Sequence, residues 1–140
     1  MKVREKIRSA CIALWLLPGL NVGAWADEAV RSVHWGFLYP NGVDLVGYTV
    51  ERRIDAGLYG FYTFGFPSLA AAGVSYYRDF AGNGFTSTAG IGIGSVLYGS
   101  AGYQWRVSER GFVKLGAGLT FGVVYGGVYP VISYERRFAH

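Results

Sequence analysis

Apolar and polar positions along this chain alternate two by two. Val113, Leu115, Ala117, Leu119, Phe121 and Val123 share one parity, while Lys114, Gly116, Gly118, Thr120 and Gly122 hold the other. One face is apolar and the opposite face is small or polar, which is the two-residue repeat of a strand. Ala89, Ile91 and Ile93 alternate in the same way with Thr86, Thr88, Gly90, Gly92 and Gly94. Farther on, Ala101, Tyr103, Trp105 and Val107 oppose Ser100, Gly102, Gln104 and Arg106.

A competing reading starts from charge. Three runs carry no charged residue: Ala56 to Tyr77, Phe80 to Trp105, and Leu115 to Tyr134. Each has the length of a membrane-crossing helix, and Gly118-x-x-x-Gly122 is a helix-packing pattern, so a polytopic helical inner-membrane protein is the alternative fold. Turn formers decide against it. Phe66-Pro67-Ser68, Gly94-Ser95 and Gly126-Gly127 fall near the middle of the three runs, and Pro40-Asn41-Gly42 does so in the segment before Glu51. They would break helices at mid-membrane, whereas hairpins need turns at those places. Glycine mixed with β-branched and aromatic residues at this density also disfavours helix. The pattern predicts eight strands, over 32–39, 43–53, 57–65, 69–79, 84–94, 96–106, 112–122 and 128–138. Most approach the ~9–11 residues of a tilted transmembrane strand, and an even antiparallel set can close without leaving an edge. The expected fold is therefore all-β, an eight-stranded antiparallel transmembrane up-and-down β-barrel.

The first residues change the charge argument. A basic segment, the short apolar core "CIALWLLPGL" and Ala24-x-Ala26 follow one another in the order of a cleaved secretory signal. Residues 1–26 are expected to be the signal peptide and 27–140 the barrel. Four of the 13 basic and one of the nine acidic residues lie in the leader, which leaves nine against eight. A basic surface for nucleic acid is thus not supported. Cys11, the sole cysteine, also lies in the leader and precedes its apolar core, so disulfides, thiolate chemistry and cysteine-held metal are excluded from the remainder.

With this leader, alternating strands from about residue 30, and the ending "PVISYERRF", the chain resembles the small eight-stranded outer-membrane barrels of Gram-negative bacteria. Ile132, Tyr134 and Phe138 on one face of the last strand look like the signal read by the outer-membrane barrel assembly machinery, although Ala139-His140 follow the closing aromatic. The resemblance implies an integral outer-membrane location, outer-membrane lipids as surroundings, and periplasmic termini. The charged clusters at 51–55, 78–84 and 106–111 would then be periplasmic turns, and the turns near 41, 67, 95 and 126 short outer ones. Stub outer loops argue against an adhesin or receptor. Charge concentrated at the periplasmic end suggests a periplasmic protein partner.

Strand parity assigns the rest. Tyr76, Phe80, Phe85, Trp105, Tyr134 and Phe138 are expected in an aromatic girdle on the periplasmic side, with Phe37, Phe64 and Phe121 nearer the outer side. Glu51, Arg53, Asp79, Arg106, Lys114, Glu135 and Arg137, together with Gln104, should converge inside as a salt-bridge network, because buried charge must be paired. Glycines such as Gly47, Gly90 and Gly118 face inward, either to admit rings such as Tyr59, Phe61, Tyr98 and Tyr129 or to leave room for an acyl chain.

Chemistry is sparse. Past the leader only His34 and His140 could serve as an imidazole base, and Ser133 with Glu135 would approach His34 if strand one closes against strand eight. The trio is a weak catalytic candidate and does not match the His-x-Ser motif of lipid A deacylases, since Trp35-Gly36 follow His34. No metal-ligand spacing is present, and "GIGIG" leads into no helix with a lysine, so neither metal nor cofactor is expected. The sequence points to a structural or accessory envelope barrel. A lipid-modifying enzyme or acyl-chain binder, of deacylase or acyltransferase type, is the alternative function.

Overall fold

The computed structural model describes residues 29–41, 44–93, 97–122 and 126–138. The leader expected over 1–26 lies outside these residues, as do Gly42, the Gly94-Ser95 turn and Ala139-His140.

Eight strands follow one another: β1 (Ala29–Gly36), β2 (Val46–Asp55), β3 (Leu58–Phe66), β4 (Leu69–Tyr77), β5 (Gly84–Gly92), β6 (Leu97–Arg106), β7 (Gly111–Phe121) and β8 (Gly127–Phe138). Each pairs antiparallel with its chain neighbour, and β1 pairs with β8, from Arg31 opposite Phe138 to Gly36 opposite Ser133, to close the barrel. Closure removes every free edge, so no strand is left to template pairing with another chain. Both ends of the described chain lie at one mouth of the barrel, called the terminal mouth below, together with the β2–β3, β4–β5 and β6–β7 turns.

The turns use local chemistry. Gly57 between β2 and β3 has φ of 72°, a conformation that costs glycine nothing, and Asp55 Oδ1 accepts the Ala56 amide at 2.7 Å. The register shifts between Arg53 and Asp55, just before this turn. At the opposite mouth Pro67-Ser68 alone join β3 to β4.

Burial follows the period-two pattern. On β7, Lys114, Gly118 and Thr120 are buried while Leu115, Ala117, Leu119 and Phe121 are exposed, and β5 and β8 alternate likewise. The wall is apolar on its outside and polar within.

The first strand departs from expectation. It runs 29–36 instead of 32–39, and beyond Gly36 the chain leaves the wall. Gly36 N bonds Leu45 O at 2.9 Å, so the chain rejoins the sheet beside the point where it left. Between these points Tyr39 and Asn41 are fully buried in the lumen. The predicted outer turn at Pro40-Asn41-Gly42 is, over its described residues, a strap tucked into the barrel. Buried carboxylates explain the direction, because Tyr39 and Asn41 add donors to Glu135 and Glu51 beyond those the wall supplies.

Candidate functional site

The lumen is organised around four ionisable side chains carried by three strands. Glu51 on β2, Lys114 on β7, and Glu135 and Arg137 on β8 all point inward by parity, and all are buried. Two acids face two bases, so the formal charge of this cluster sums to zero.

Glu135 is the hub. Its Oε2 accepts the Lys114 ammonium at 2.6 Å and the Tyr39 hydroxyl, while its Oε1 accepts Arg137 Nε. Lys114 Nζ also donates to Tyr77 Oη at 3.2 Å and lies 5.0 Å from the ring centres of both Tyr39 and Tyr77. Tyr77 in turn donates to Glu51 Oε1 at 2.5 Å, and Asn41 Nδ2 donates to the same oxygen at 2.8 Å. The two carboxylates are thus linked through the Lys114–Tyr77 pair. Taking such charges out of water is costly, and only dense hydrogen bonding offsets the loss.

The strap is held from several sides. Asn41 Oδ1 accepts from Ser75 and Thr88, each at 3.1 Å, and its carbonyl accepts the Tyr98 hydroxyl at 2.9 Å. At the terminal mouth, Arg137 lies between two rings, its Cζ 4.0 Å from the Phe80 centroid and 3.9 Å from that of Phe112. Gln104 accepts Arg137 Nη2 at 3.0 Å. Its own amide reaches the Asp79 and Gly82 carbonyls at 2.7 and 2.9 Å, which folds the β4–β5 turn across the opening. Toward the opposite mouth, aromatic rings fill the glycine notches. A Cβ on Gly90 would stand 2.7 Å from Tyr98 Cζ, and one on Gly118 would stand 2.3 Å from Tyr129 Cζ. Asp44 closes that end, accepting the Ser68 amide at 2.8 Å; burial raises its carboxyl above the ordinary range, and the Ser68 bonds hold part of the rise back.

The structure splits the expected salt-bridge network. Glu51, Lys114, Glu135 and Arg137 come together, but Arg53, Asp79 and Arg106 are exposed. Arg53 follows the inward parity at the far end of β2, where the lumen has already opened to solvent. Asp79 lies beyond β4 and caps its own turn, accepting the Ala81 and Gly82 amides. Arg106 spans the mouth, binding the carbonyls of Ala81, Ser108 and Glu109. Phe80 is corrected in the other sense, since it stacks on Tyr59 with centroids 4.2 Å apart inside the mouth and leaves the girdle. Tyr76, Phe85, Trp105 and Phe138 do stand exposed on the outer wall with Ile132, while Tyr134 packs half-buried against Trp35 at 4.7 Å.

His34 lies opposite Glu135 across the closing seam, and Ser133 opposite Gly36. The register brings the three to one patch of the inner wall without joining them. Neither His34 nitrogen nor Ser133 Oγ has a hydrogen-bond partner among the described residues. The imidazole is fully buried, stacked on Tyr39 at 3.5 Å and 6° and standing over Gly47. Glu135, which would orient a catalytic histidine, is committed to Lys114, Arg137 and Tyr39. No group of three or more histidine, cysteine, aspartate or glutamate side chains suited to a metal occurs among the described residues.

Tyr39, Asn41 and Tyr77 were not anticipated as network members. Tyr77 shares the inward parity of Asp79 on the same predicted strand, so its placement was available from the pattern. Tyr39 and Asn41 follow no strand parity at all.

No protein-family model matches the chain, and neither curated proteins nor solved structures provide a significant match.

Proposed function

We propose that the protein is an integral outer-membrane β-barrel with a structural or accessory role in the envelope, its termini and charged turns in the periplasm. The observation that carries this reading is the inverted polarity of the wall. Large apolar side chains such as Phe64, Ile91, Leu119, Phe121 and Val128 are exposed outward, while two ion pairs lie buried inside. A water-soluble barrel needs the reverse, since contiguous apolar surface of this extent is not left in water. Strand length fits as well. Ten residues rise ~33 Å, and a tilt of ~40° brings that to ~25 Å, the height of an outer-membrane apolar band.

A lumen filled by Tyr39, Tyr77, Tyr98 and Tyr129 and by the charge network favours a stable plugged barrel over a conduit. The lipid-modifying alternative gains nothing from the disconnected Ser133–His34–Glu135 patch. Refolding into neutral phosphatidylcholine vesicles tests the proposal. A β-type circular dichroism spectrum and heat-modifiable gel migration are expected. Failure to insert, with the protein remaining soluble and monomeric, would overturn it.

A further inference from the structure

We propose that the outer wall at the β1–β8 seam binds the phosphate of an anionic glycerophospholipid between Arg31 and Arg136. The inference rests on the membrane placement proposed above.

The register sets the geometry. Arg31 faces Phe138 and Val33 faces Arg136, so the two arginines are diagonal neighbours on the outward face of adjacent strands. Such positions are ~7–8 Å apart, within reach of a single anion held by two long side chains. Both are exposed, and neither has a carboxylate partner among the described residues. Two like charges side by side on a wall repel unless an anion lies between them.

What lies beside them fixes the depth. Two residues along β8 from Arg136, Tyr134 pairs with Trp35 of β1, and Ile132 follows as the start of the apolar band. Aromatic pairs of this kind seat at the interface between acyl chains and headgroups. One pleat beyond, ~7 Å, Arg136 stands at the level of the lipid phosphates, and Arg31 stands one pleat farther out, opposite Phe138. Guanidinium suits the task because its planar fork meets phosphate oxygens with two hydrogen bonds. A zwitterionic headgroup brings its own ammonium toward the same arginines, whereas phosphatidylglycerol does not, so the pair should discriminate by charge. The described residues also place every exposed charge at this mouth, with six arginines against Asp55, Asp79 and Glu109. A general attraction must therefore be told apart from a site.

The test uses the protein refolded in phosphatidylcholine vesicles, with electron spin resonance of spin-labelled phosphatidylglycerol and phosphatidylcholine at the protein boundary. A preference for phosphatidylglycerol on the order of fivefold is expected at low ionic strength. It should fall to near unity in Arg31→Gln/Arg136→Gln, recover in part in Arg31→Lys/Arg136→Lys, and persist in the charge-matched control Arg78→Gln/Arg110→Gln. Retention of the preference in the first variant, or equal loss in the control, would overturn the site. Displacement by millimolar inorganic phosphate, or by lipid A in place of phosphatidylglycerol, would overturn the assigned ligand. Heat-modifiable migration is followed in each sample. An unfolded wild-type protein in phosphatidylcholine would sink the membrane reading itself, whereas folded protein without lipid preference would sink only this inference.

Discussion

Replacing Glu135 by glutamine is the sharpest probe of the plugged interior. The carboxylate accepts Lys114 and Tyr39 on one oxygen and Arg137 on the other. Glutamine retains one acceptor oxygen and turns an amide donor toward a donor. It also leaves Lys114 and Arg137 against Glu51 alone, a net formal charge of +1 in the cluster. Breaking a buried pair in this way costs about 3–5 kcal/mol. With a guanidinium slope of about 3 kcal/mol per molar, the unfolding midpoint should drop by about 1–1.7 M. Tryptophan fluorescence in detergent micelles, with folding and unfolding arms that coincide, measures the shift. The decisive comparison is Glu135→Gln/Lys114→Met, which returns the cluster to neutrality. If unpaired charge is the main cost, the double variant is more stable than Glu135→Gln alone, although it carries a second substitution in the core. A double variant destabilised by the sum of the two single changes would refute the reasoning, because the cost would then lie in packing and not in charge.

Other outcomes follow from the same geometry. Asn41→Ala removes the donor to Glu51 and the acceptor for Ser75 and Thr88, and should cost about 1–3 kcal/mol for the buried groups left unmatched, read in the same unfolding assay. Gly118→Val places a Cβ into the Tyr129 ring, with an expected cost of about 1–3 kcal/mol, and Tyr129→Ala in the same chain should recover part of it. Asp44 provides a pH signature at the mouth away from the termini. Its carboxyl is raised in the folded state, so its contribution is fully present below the ordinary aspartate value and is lost as pH rises through the folded one. Asp44→Asn should therefore raise the unfolding midpoint at neutral pH and lose that advantage below about pH 4. His34→Ala should leave the acyl pattern of lipid A unchanged by mass spectrometry, and an altered pattern would revive the lipid-modifying alternative.

The parts of this molecule that the sequence made legible are those governed by period. Alternation along β5, β7 and β8 is enforced twice over, by an apolar outside and by a lumen wide enough for only one layer of side chains, so a slip of one residue would invert both faces. For that reason Lys114, Glu135 and Arg137 could be placed inside from parity alone. Where the chain leaves the sheet, parity has no authority. Arg53 has the correct phase but sits past the mouth, and Phe80 has an outward phase on a strand that ends at Tyr77. Tyr39 and Asn41 illustrate the deeper limit. Pro40-Asn41-Gly42 announced a turn, but a turn motif does not say whether the loop leans out or folds in. That choice is made by Glu51 and Glu135, carboxylates on other strands that accept further donors from the loop. Their need for donors became visible only after closure had brought β1, β2 and β8 side by side. Charge placed inside a narrow barrel therefore recruits its own plug from the nearest loop, and the loop's sequence records only that it can bend.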